Sequence, residues 1–331
     1  MEQPARSQSP SANATAPQPV VEDLAQVEIR LAAELSSREP RLETIAGHLV
    51  SAGGKRLRPM VVSLVFHAVG GDPRRRTDAV EAAVALELIH SATLLHDDII
   101  DGGETRRGRA SALSTFGLAD TLVAGDFLFC RAFALCSRFE AELIRWAAEA
   151  CVALTEGEVM QGRFRRNPAV TVDDYLEIVQ RKTASLFETG ARTAARLGGA
   201  DPALVDAMSA CGFHVGRAFQ MRDDLLDVTG DPRVTGKPRG IDLRDGNPSL
   251  PIVLALAREP ALRPLFATVD LPADEVERGL GLIARSGVLA EVDARARDEL
   301  KAARAALARL PESPYRDALE GLTDELEARI A

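Results

Sequence analysis

The stretch VEAAVALELIHSATLLHDDIID, residues 80–101, decides the fold class of this chain. Its apolar residues recur at intervals of three and four, which places them on one face of an α-helix. The residues of that face are Val80, Val84, Leu88, Ala92 and Leu95. No proline lies between Pro73 and Pro168, or between Pro202 and Pro232. Because proline inside a helix costs about 3 kcal/mol, these stretches favour long helices.

The composition extends this pattern to the whole chain. The 331 residues are 46% hydrophobic but only 4% aromatic, so alanine and leucine supply most of the apolar surface. Such a composition favours helix over sandwich or barrel. We therefore predict an all-α protein, a single-domain helical bundle around a central cavity. The bundle is expected to span residues 21–331, after a disordered tail, residues 1–20, rich in proline and small polar residues.

Charge and hydropathy exclude several classes of protein. The chain has 40 basic and 49 acidic residues, and a net charge of −9 disfavours binding to nucleic acid through electrostatics alone. No run of eighteen apolar residues occurs, so we expect no transmembrane segment. The N-terminus lacks the basic and apolar regions of a signal peptide. The four cysteines form no CxxC pair and predict buried thiols in a reducing cytoplasm.

The motif Asp-Asp-x-x-Asp occurs twice. Its copies are Asp97, Asp98 and Asp101, and Asp223, Asp224 and Asp227. Positions i and i+4 of a helix share one face, and both copies lie among leucine and isoleucine, where several carboxylates need cations. Oxygen ligands without nearby cysteine indicate Mg²⁺, which completes its coordination with waters and substrate phosphates. A single copy is more often a solvated acidic pair, but two copies in the same apolar context favour a metal site.

Basic residues occur beside both acidic motifs. Lys55, Arg56 and Arg58 follow two glycines at the predicted start of a helix. Arg106 and Arg107 follow the first aspartate motif, and Lys237 and Arg239 lie in a loop rich in glycine and proline, residues 230–251. Each cluster alone is typical of a solvated surface. Together with the carboxylates they predict a diphosphate site, in which Mg²⁺ and basic side chains share the phosphate oxygens.

Seven strings of the sequence resemble the trans-prenyl diphosphate synthases, the polyprenyl synthetase family, and in particular its long-chain type. In chain order they are GGKRLRP, LELIHSATLLHDDIIDGGETRRGR, AGDFLFCRA, EGEVMQG, KTASLF, FQMRDDLLD and GKPRGIDLRDGNPSLP. The similarity runs from about residue 21 to residue 258 and continues more faintly to the C-terminus. So many ordered motifs make the resemblance highly specific.

The resemblance implies a role for each matching position. The two aspartate motifs would face each other across the cavity and hold two or three Mg²⁺ ions, the first motif on the allylic diphosphate. Positions that match the isopentenyl diphosphate site are Lys55, Arg58, His90 and Arg107. Positions that match contacts to the allylic diphosphate are Arg106, Lys182, Thr183, Gln220 and Lys237, of which Lys182 is expected to be catalytic.

Two positions depart from the family pattern. Asn247 stands where the family usually has a lysine in the last loop motif, so we expect Arg239 or Arg244 to supply any missing phosphate contact. Arg222 precedes the second aspartate pair, where an uncharged residue is commoner. We expect it either on the surface or as a residue that tunes the metal site.

The reaction implied by the resemblance is head-to-tail prenyl transfer, by a cytoplasmic homodimer whose product is passed to membrane enzymes. Diphosphate leaves an allylic substrate, and the double bond of isopentenyl diphosphate attacks the carbocation in a dry cavity. One alternative is a class I terpene cyclase, which takes no second diphosphate and so has no use for Lys55 and Arg58. Another is a non-catalytic subunit of a heteromeric synthase, which would not need paired carboxylates.

Two small residues predict the length of the product. Thr93 lies four residues before Asp97, one turn deeper on the same helical face, and Ala92 is its neighbour. In the family, bulky aromatic residues at these positions block the product tunnel. One helical turn is about 5.4 Å, close to one isoprene unit, so we predict a C30–C50 product. A geranylgeranyl- or farnesyl-length product is the alternative. The end of the tunnel is expected deeper, at Ile89, Phe129 or Phe133.

Overall fold

The computed structural model describes residues 16–106, 108–231 and 238–328, and helices make up nearly all of its regular structure. In chain order the helices are α1 (Gln18–Glu34), α2 (Pro40–Val50), α3 (Leu57–Ala68), α4 (Arg76–Ile100), α5 (Ala112–Phe116), α6 (Leu118–Cys136), α7 (Ala141–Phe164), α8 (Val172–Val179), α9 (Ser185–Leu197), α10 (Pro202–Thr229), α11 (Ile241–Asp245), α12 (Leu250–Arg258), α13 (Leu262–Ala267), α14 (Ala273–Arg285), α15 (Val288–Leu307) and α16 (Pro314–Ala328). The predicted all-α class is confirmed.

Four short elements complete the regular structure of the described residues. A 3₁₀ turn, Pro73–Arg75, precedes α4, and a π-helical turn, Gln180–Ala184, joins α8 to α9. Strands β1 (Thr105–Arg106) and β2 (Arg109–Ala110) pair antiparallel just after the first aspartate motif. π-Helical turns occur frequently at functional sites, and this one carries a predicted substrate-binding lysine.

The start of the chain differs from the prediction. Helix α1 begins at Gln18, and Val20 is fully buried in the core, so the predicted disordered tail is wrong for residues 18–20. Residues 1–15 of that segment lie outside the described residues. The cysteines differ as well: Cys136 and Cys211 are buried as predicted, whereas Cys130 is exposed.

Helix α4 crosses the larger hydrophobic core and ends at the first aspartate motif. It packs against α1, α3, α6 and α9, and fifteen of its residues are buried. By length and composition the segment Pro73–Ile100 could cross a membrane, but 78% of its apolar window is buried inside the protein. A helix surrounded by other helices has to be apolar on all sides, which explains this composition.

Helix α10 carries the second aspartate motif. Its N-cap, Asp201, accepts a 2.8 Å hydrogen bond from the Leu204 N–H and is followed by proline at the first helical position. Gly212 and Gly216 let α10 approach α9 and the π-helical turn closely: a Cβ at Gly216 would lie 2.6 Å from the Ala184 Cα. Only glycine permits this packing, which brings the π-helical turn beside α10.

Helix α9 separates the two motif-bearing helices. It packs against α3 and α4 on one side and against α10 on the other, while within the described ranges α4 and α10 share few contacts. The C-terminal half of α10 packs in a second core with α12 to α15. The two helices that carry the aspartate motifs therefore lie on opposite sides of α9.

Candidate active site

The first aspartate motif occupies the last turn of α4. Asp97 and Asp98 lie within the helix, and Asp101 is its C-cap. The Asp98 side chain is 1% exposed and accepts a 2.6 Å hydrogen bond from Arg106 Nε in β1. Burial raises the pKa of Asp98 despite this partner. Asp97 and Asp101 are more accessible, so the middle aspartate holds the hairpin while the outer two face the cavity mouth.

Lys182 lies opposite Asp97 on the π-helical turn. Its Nζ is 3.7 Å from Asp97 Oδ1, donates to Gln161 Oε1 at 2.9 Å, and forms an ion pair with Glu158. Burial lowers the pKa of Lys182, but the charges of Asp97 and Glu158 outweigh it and the pKa is raised. The lysine therefore stays protonated, as a phosphate-binding residue must.

The carboxyl of Asp97 is held in an unfavourable environment. Burial, together with the nearby charges of Glu158 and Asp101, raises its pKa to about 6, although Lys182 opposes this rise. A carboxylate in such surroundings gains from a bound cation, because the cation offsets the lost hydration. The position thus suits a metal ligand.

The second motif is tied into a hydrogen-bonded chain. Asp224 accepts hydrogen bonds from the Tyr175 hydroxyl at 2.7 Å, the Gln220 amide at 2.9 Å and the Leu250 N–H at 3.0 Å. Thr183 in turn donates to Gln220 Oε1 at 2.9 Å. Burial raises the pKa of Asp224 to about 6. This hydrogen-bond network joins the π-helical turn to α10. It brings the predicted residues Thr183 and Gln220 to one wall of a small cavity.

The other aspartates of this motif have different surroundings. Asp227 accepts hydrogen bonds from the N–H groups of Ile241 and Asp242, at 3.1 and 3.2 Å, and so anchors the start of α11. Asp223 lies close enough to Arg58 for their charges to interact. The prediction treated all six aspartates alike, but in the structure Asp98 and Asp224 are buried and held by hydrogen bonds from protein donors.

The basic cluster before α3 divides into two roles. Arg56 is buried and bonded to Glu28 at 2.5 Å and to Glu87 at 2.8 Å, so it stabilises the fold. Arg58 lies over the Phe187 ring at 4.7 Å, and its Nε is buried without a hydrogen-bond partner in the described structure. Burial lowers the pKa of Arg58, with Glu87 and Asp223 opposing. An unpaired buried donor beside Asp223 is what an anionic ligand would satisfy.

The remaining predicted binding residues are placed as follows. Lys55 is exposed at the start of α3, and His90 is half-buried on α4, two turns before Asp97. Arg107 and Lys237 lie outside the described residues. The structure thus brings Lys182, Thr183 and Gln220 to one wall of the small cavity, and it places Arg58 near Asp223.

The structure shows the surroundings of both departures from the family pattern. Arg239 pairs with Glu277 and Arg244 with Asp245, so neither is directed at Asn247. Asn247 instead accepts a 3.2 Å hydrogen bond from Arg165 Nε.

Arg222 is not on the surface. Its side chain is fully buried and bonded to Asp293 at 2.6 Å, so it ties α10 to α15 behind the second motif. Arg222 therefore packs behind the second motif and does not line the small cavity.

The predicted chain-length residues lie deeper on α4. Ala92 is fully buried, and Thr93 is half-buried with its hydroxyl bonded to the His90 carbonyl at 2.8 Å. His96 contacts α6, its ring centroid 5.8 Å from that of Phe129. Phe133, predicted as one possible end of the tunnel, is 42% exposed and stacks on Phe129.

Several residues of the site were not singled out in the sequence. They are Glu158, Gln161, Arg165, Tyr175 and Asp242. Glu158 and Gln161 lie within the string EGEVMQG, so this motif could have predicted them as site residues. Burial, with Asp227 and Asp224 nearby, raises the pKa of Asp242 well above its usual range. The small cavity is lined by Gln161, Tyr175, Lys182, Thr183, Gln220, Asp224, Asp242, Asn247 and Ser249, among others.

The carboxylates fit a magnesium ion that arrives with a ligand. In the described ranges, no three Asp, Glu, His or Cys side chains converge closely enough to hold a metal by themselves. Asp97 and Asp101, one turn apart, offer two carboxylates and face Lys182. Mg²⁺ is commonly bound by one or two carboxylates plus waters and phosphate oxygens, and this donor set matches that mode.

Comparisons with known proteins identify the family of this chain. The polyprenyl synthetase family model matches residues 39–276. The octaprenyl diphosphate synthase of Escherichia coli K12 is 35% identical over 312 residues, covering 91% of this chain and 94% of that protein.

Two solved structures are similar over nearly the whole chain. The decaprenyl diphosphate synthase of Rhodobacter capsulatus has a TM-score of 0.87 at 35% identity, covering 95% of this chain and 98% of that one. A polyprenyl synthase of Caulobacter crescentus CB15, complexed with calcium and isoprenyl diphosphate, has a TM-score of 0.90 at 35% identity, covering 99% and 100%. The predicted resemblance is confirmed, and this chain belongs to the polyprenyl synthetase family of prenyltransferases.

Proposed function

We propose that this protein condenses isopentenyl diphosphate head-to-tail with an allylic prenyl diphosphate to give a long-chain trans-polyprenyl diphosphate. One observation carries the proposal: each aspartate motif has a half-buried basic side chain beside it, and Lys182, beside the first motif, lines the same small cavity as Asp224 of the second. Lys182 lies 3.7 Å from Asp97, and Arg58 interacts with Asp223. Two such sets suit two diphosphates, whereas a terpene cyclase binds one.

The allylic diphosphate binds at the first motif. Asp97 and Asp101 would hold the cations, of which two or three are expected, and Lys182 would donate to the phosphate oxygens. Bound Mg²⁺ would neutralise the negative charge that develops on the departing diphosphate. Thr183 and Gln220 stand beside Lys182 and are fixed by their mutual hydrogen bond, so this wall needs little reorganisation during ionisation.

Isopentenyl diphosphate binds at the cluster before α3. Lys55 and Arg58 hold its diphosphate, together with His90 of α4 and Arg107. The carbocation formed on the allylic chain is attacked by the double bond of isopentenyl diphosphate, and a proton is then lost to the released diphosphate. Buried apolar residues of α4 and α9 exclude water, which would otherwise quench the cation.

The growing chain extends along α4 away from Asp97. Ala92 and Thr93 are small, so their side chains leave the tunnel open in the first helical turn beyond Asp97. The product therefore reaches C30–C50, and Phe129 and Phe133 of α6, which stack on each other, form the far wall. A product of this length is insoluble enough to be passed to membrane enzymes.

Helix α6 supplies the surface for a homodimer. Apolar side chains are exposed along it, at Leu118 (58%), Leu122 (43%), Val123 (51%) and Phe133 (42%). Such a row on one helix favours association with a second copy. The reaction takes place in the cytoplasm, a setting in which the four free cysteines stay reduced.

The test is product formation by the chain alone. Purified protein is incubated with Mg²⁺, labelled isopentenyl diphosphate and geranyl or farnesyl diphosphate, and the products are sized by chromatography. Chain-elongated, trans products of C30 or longer are expected. A cyclic hydrocarbon would indicate a terpene cyclase, and no product would indicate a subunit that requires a partner; either result contradicts the proposal.

A further inference from the structure

The residue that follows α7 joins the two sides of the cavity mouth. Arg165 forms an ion pair with Asp101 through Nη2, and its Nε donates to Asn247 Oδ1 at 3.2 Å. The side chains of Arg165 and Asp101 are 25% and 34% exposed. The pair is thus accessible to a ligand entering from solvent, and the reaction described above leaves this guanidinium without a role.

The backbone at this point is anchored. Arg166 adopts a left-handed conformation, φ +58°, and its N–H donates to the Gly246 carbonyl at 2.8 Å. A Cβ at Gly246 would lie 2.4 Å from Arg166 Cγ, so the two segments are packed closely. A strained conformation held from both sides keeps the main chain in place. The Arg165 side chain is therefore the part of this segment that can change partners.

The first aspartate motif carries a basic partner on each of its two accessible carboxylates. Asp97 has Lys182 at 3.7 Å, and Asp101 has Arg165. Mg²⁺ bound between these carboxylates competes directly with both bases for the same oxygens. Each displaced base then lies next to the diphosphate that accompanies the metal.

We propose that Arg165 is a diphosphate-binding residue that neutralises Asp101 before Mg²⁺ binds and transfers to a phosphate oxygen afterwards. The inference rests on the proposed function, since it takes the first motif as the cation–diphosphate site. Arginine suits this exchange because its planar guanidinium carries five donors and matches phosphate in a bidentate way.

Asn247 acts as the positioning residue for Arg165. Its neutral amide oxygen accepts from Nε, so Nε can stay bound while the outer nitrogens move from Asp101 to phosphate. A lysine at position 247 would instead place a second positive charge beside the guanidinium. The asparagine and the arginine therefore act together.

The experiment compares Arg165→Ala with Arg163→Ala by calorimetry. Arg163 is an exposed arginine two residues away, whose guanidinium lies 4.8 Å from the Phe164 ring, so its removal matches the change in charge. Binding is measured for Mg²⁺ alone, and for inorganic pyrophosphate in saturating Mg²⁺. Arg165→Ala should bind Mg²⁺ alone at least as tightly as wild type, because a competitor for Asp101 is gone. It should bind pyrophosphate roughly tenfold more weakly or worse.

If Arg165 transfers from Asp101 to phosphate, Arg165→Ala should keep or raise the affinity for Mg²⁺ and lower the affinity for pyrophosphate. Arg165→Lys, which keeps the charge, should recover part of the pyrophosphate affinity. Pyrophosphate binding equal to that of Arg163→Ala overturns the inference. Weaker binding of both ligands together with a lower Tm also overturns it, since that is the result of a purely structural role.

The proposed function is tested separately with wild-type protein. If wild type elongates prenyl diphosphates while Arg165→Ala binds pyrophosphate normally, only the inference fails. If wild type forms no product but its pyrophosphate affinity depends on Arg165, the diphosphate site stands and the proposed reaction fails.

Discussion

The Tyr175 hydroxyl donates a 2.7 Å hydrogen bond to Asp224 Oδ2 inside the protein, where both residues are almost fully buried. The bond joins α8 to the second aspartate motif and continues through Gln220 to Thr183. Asp224 therefore contributes by fixing α10 and its neighbours relative to Lys182. A residue outside every recognised motif thus sets the geometry of the site.

Tyr175→Phe should lower both stability and turnover. Removing the hydroxyl leaves Asp224 short of one donor, and an unsatisfied buried partner costs roughly 1–3 kcal/mol. Denaturant unfolding should show this loss, and kcat should fall more than the KM values rise. Tyr315→Phe is the matched control, because that ring stacks on His67 far from the motif. Equal effects of the two substitutions would contradict the positioning role.

Asp97→Ala and Asp223→Ala should each lower turnover by orders of magnitude while the protein remains folded. Removing one carboxylate relieves repulsion within the motif but takes away a cation ligand. Steady-state kinetics and circular dichroism check both parts. EDTA should abolish wild-type activity and Mg²⁺ restore it. Asp206→Ala, which removes an exposed aspartate from the same helix α10, should stay active. Full activity in EDTA would refute the metal site.

Asp97→Asn should stabilise the protein at neutral pH. The pKa of Asp97 is raised to about 6 from 3.8, so between these pH values the native state binds more protons than the unfolded state. The free energy of unfolding contributed by this group therefore falls as pH rises from about 4 to about 6. The substitution removes this penalty, on the order of 1 kcal/mol, or about 2–4 °C in Tm at pH 7.5.

The gain should shrink at pH 4.5, where wild-type Asp97 is protonated. Thermal unfolding at the two pH values measures the difference. Asp72→Asn is the control of opposite sign, because Arg74 holds the pKa of that exposed carboxyl below its usual value. A Tm gain for Asp97→Asn that does not depend on pH would show that the carboxyl is not the cause.

Arg58→Ala should raise the KM for isopentenyl diphosphate far more than the KM for the allylic primer. A charge-assisted phosphate contact contributes roughly 1.5–3 kcal/mol, or about ten- to a hundredfold. Lys55→Ala should act in the same direction. Arg56→Ala is the contrast: it leaves Glu87 buried without its partner and should lower stability by about 3 kcal/mol. Equal KM changes for both substrates would reassign Arg58 to general electrostatics.

Thr93→Phe should shorten the product. Because this position is only half-buried, an aromatic ring there should block the tunnel with little loss of stability. Thr93→Val, which keeps the size, should leave product length unchanged. Ala92→Phe should also shorten the product but destabilise by about 1–3 kcal/mol, because Ala92 is fully buried. Chromatography sizes the products. A wild-type product of C15 or C20, or no shortening, would contradict the tunnel assignment.

The sequence by itself determined the helical class, several helix ends and the family. These follow from local information: apolar spacing on α4, the capping box of Thr171 and Asp174, and proline after Asp201. The two aspartate motifs could be recognised for the same reason, because each lies within five consecutive residues. Residues next to each other in the chain have fixed geometry once the helix is known.

Only the tertiary structure decided what each carboxylate does. Arg165 meets Asp101 across 64 positions, Tyr175 meets Asp224 across 49, and Arg165 meets Asn247 across 82. The burial of Arg222 depends in the same way on Asp293, 71 positions later. No local spacing encodes such pairs, because they arise when separate helices pack and exclude water between them. The sequence therefore identified the motif residues of the site, whereas packing set the role of each and added residues such as Arg165 and Tyr175.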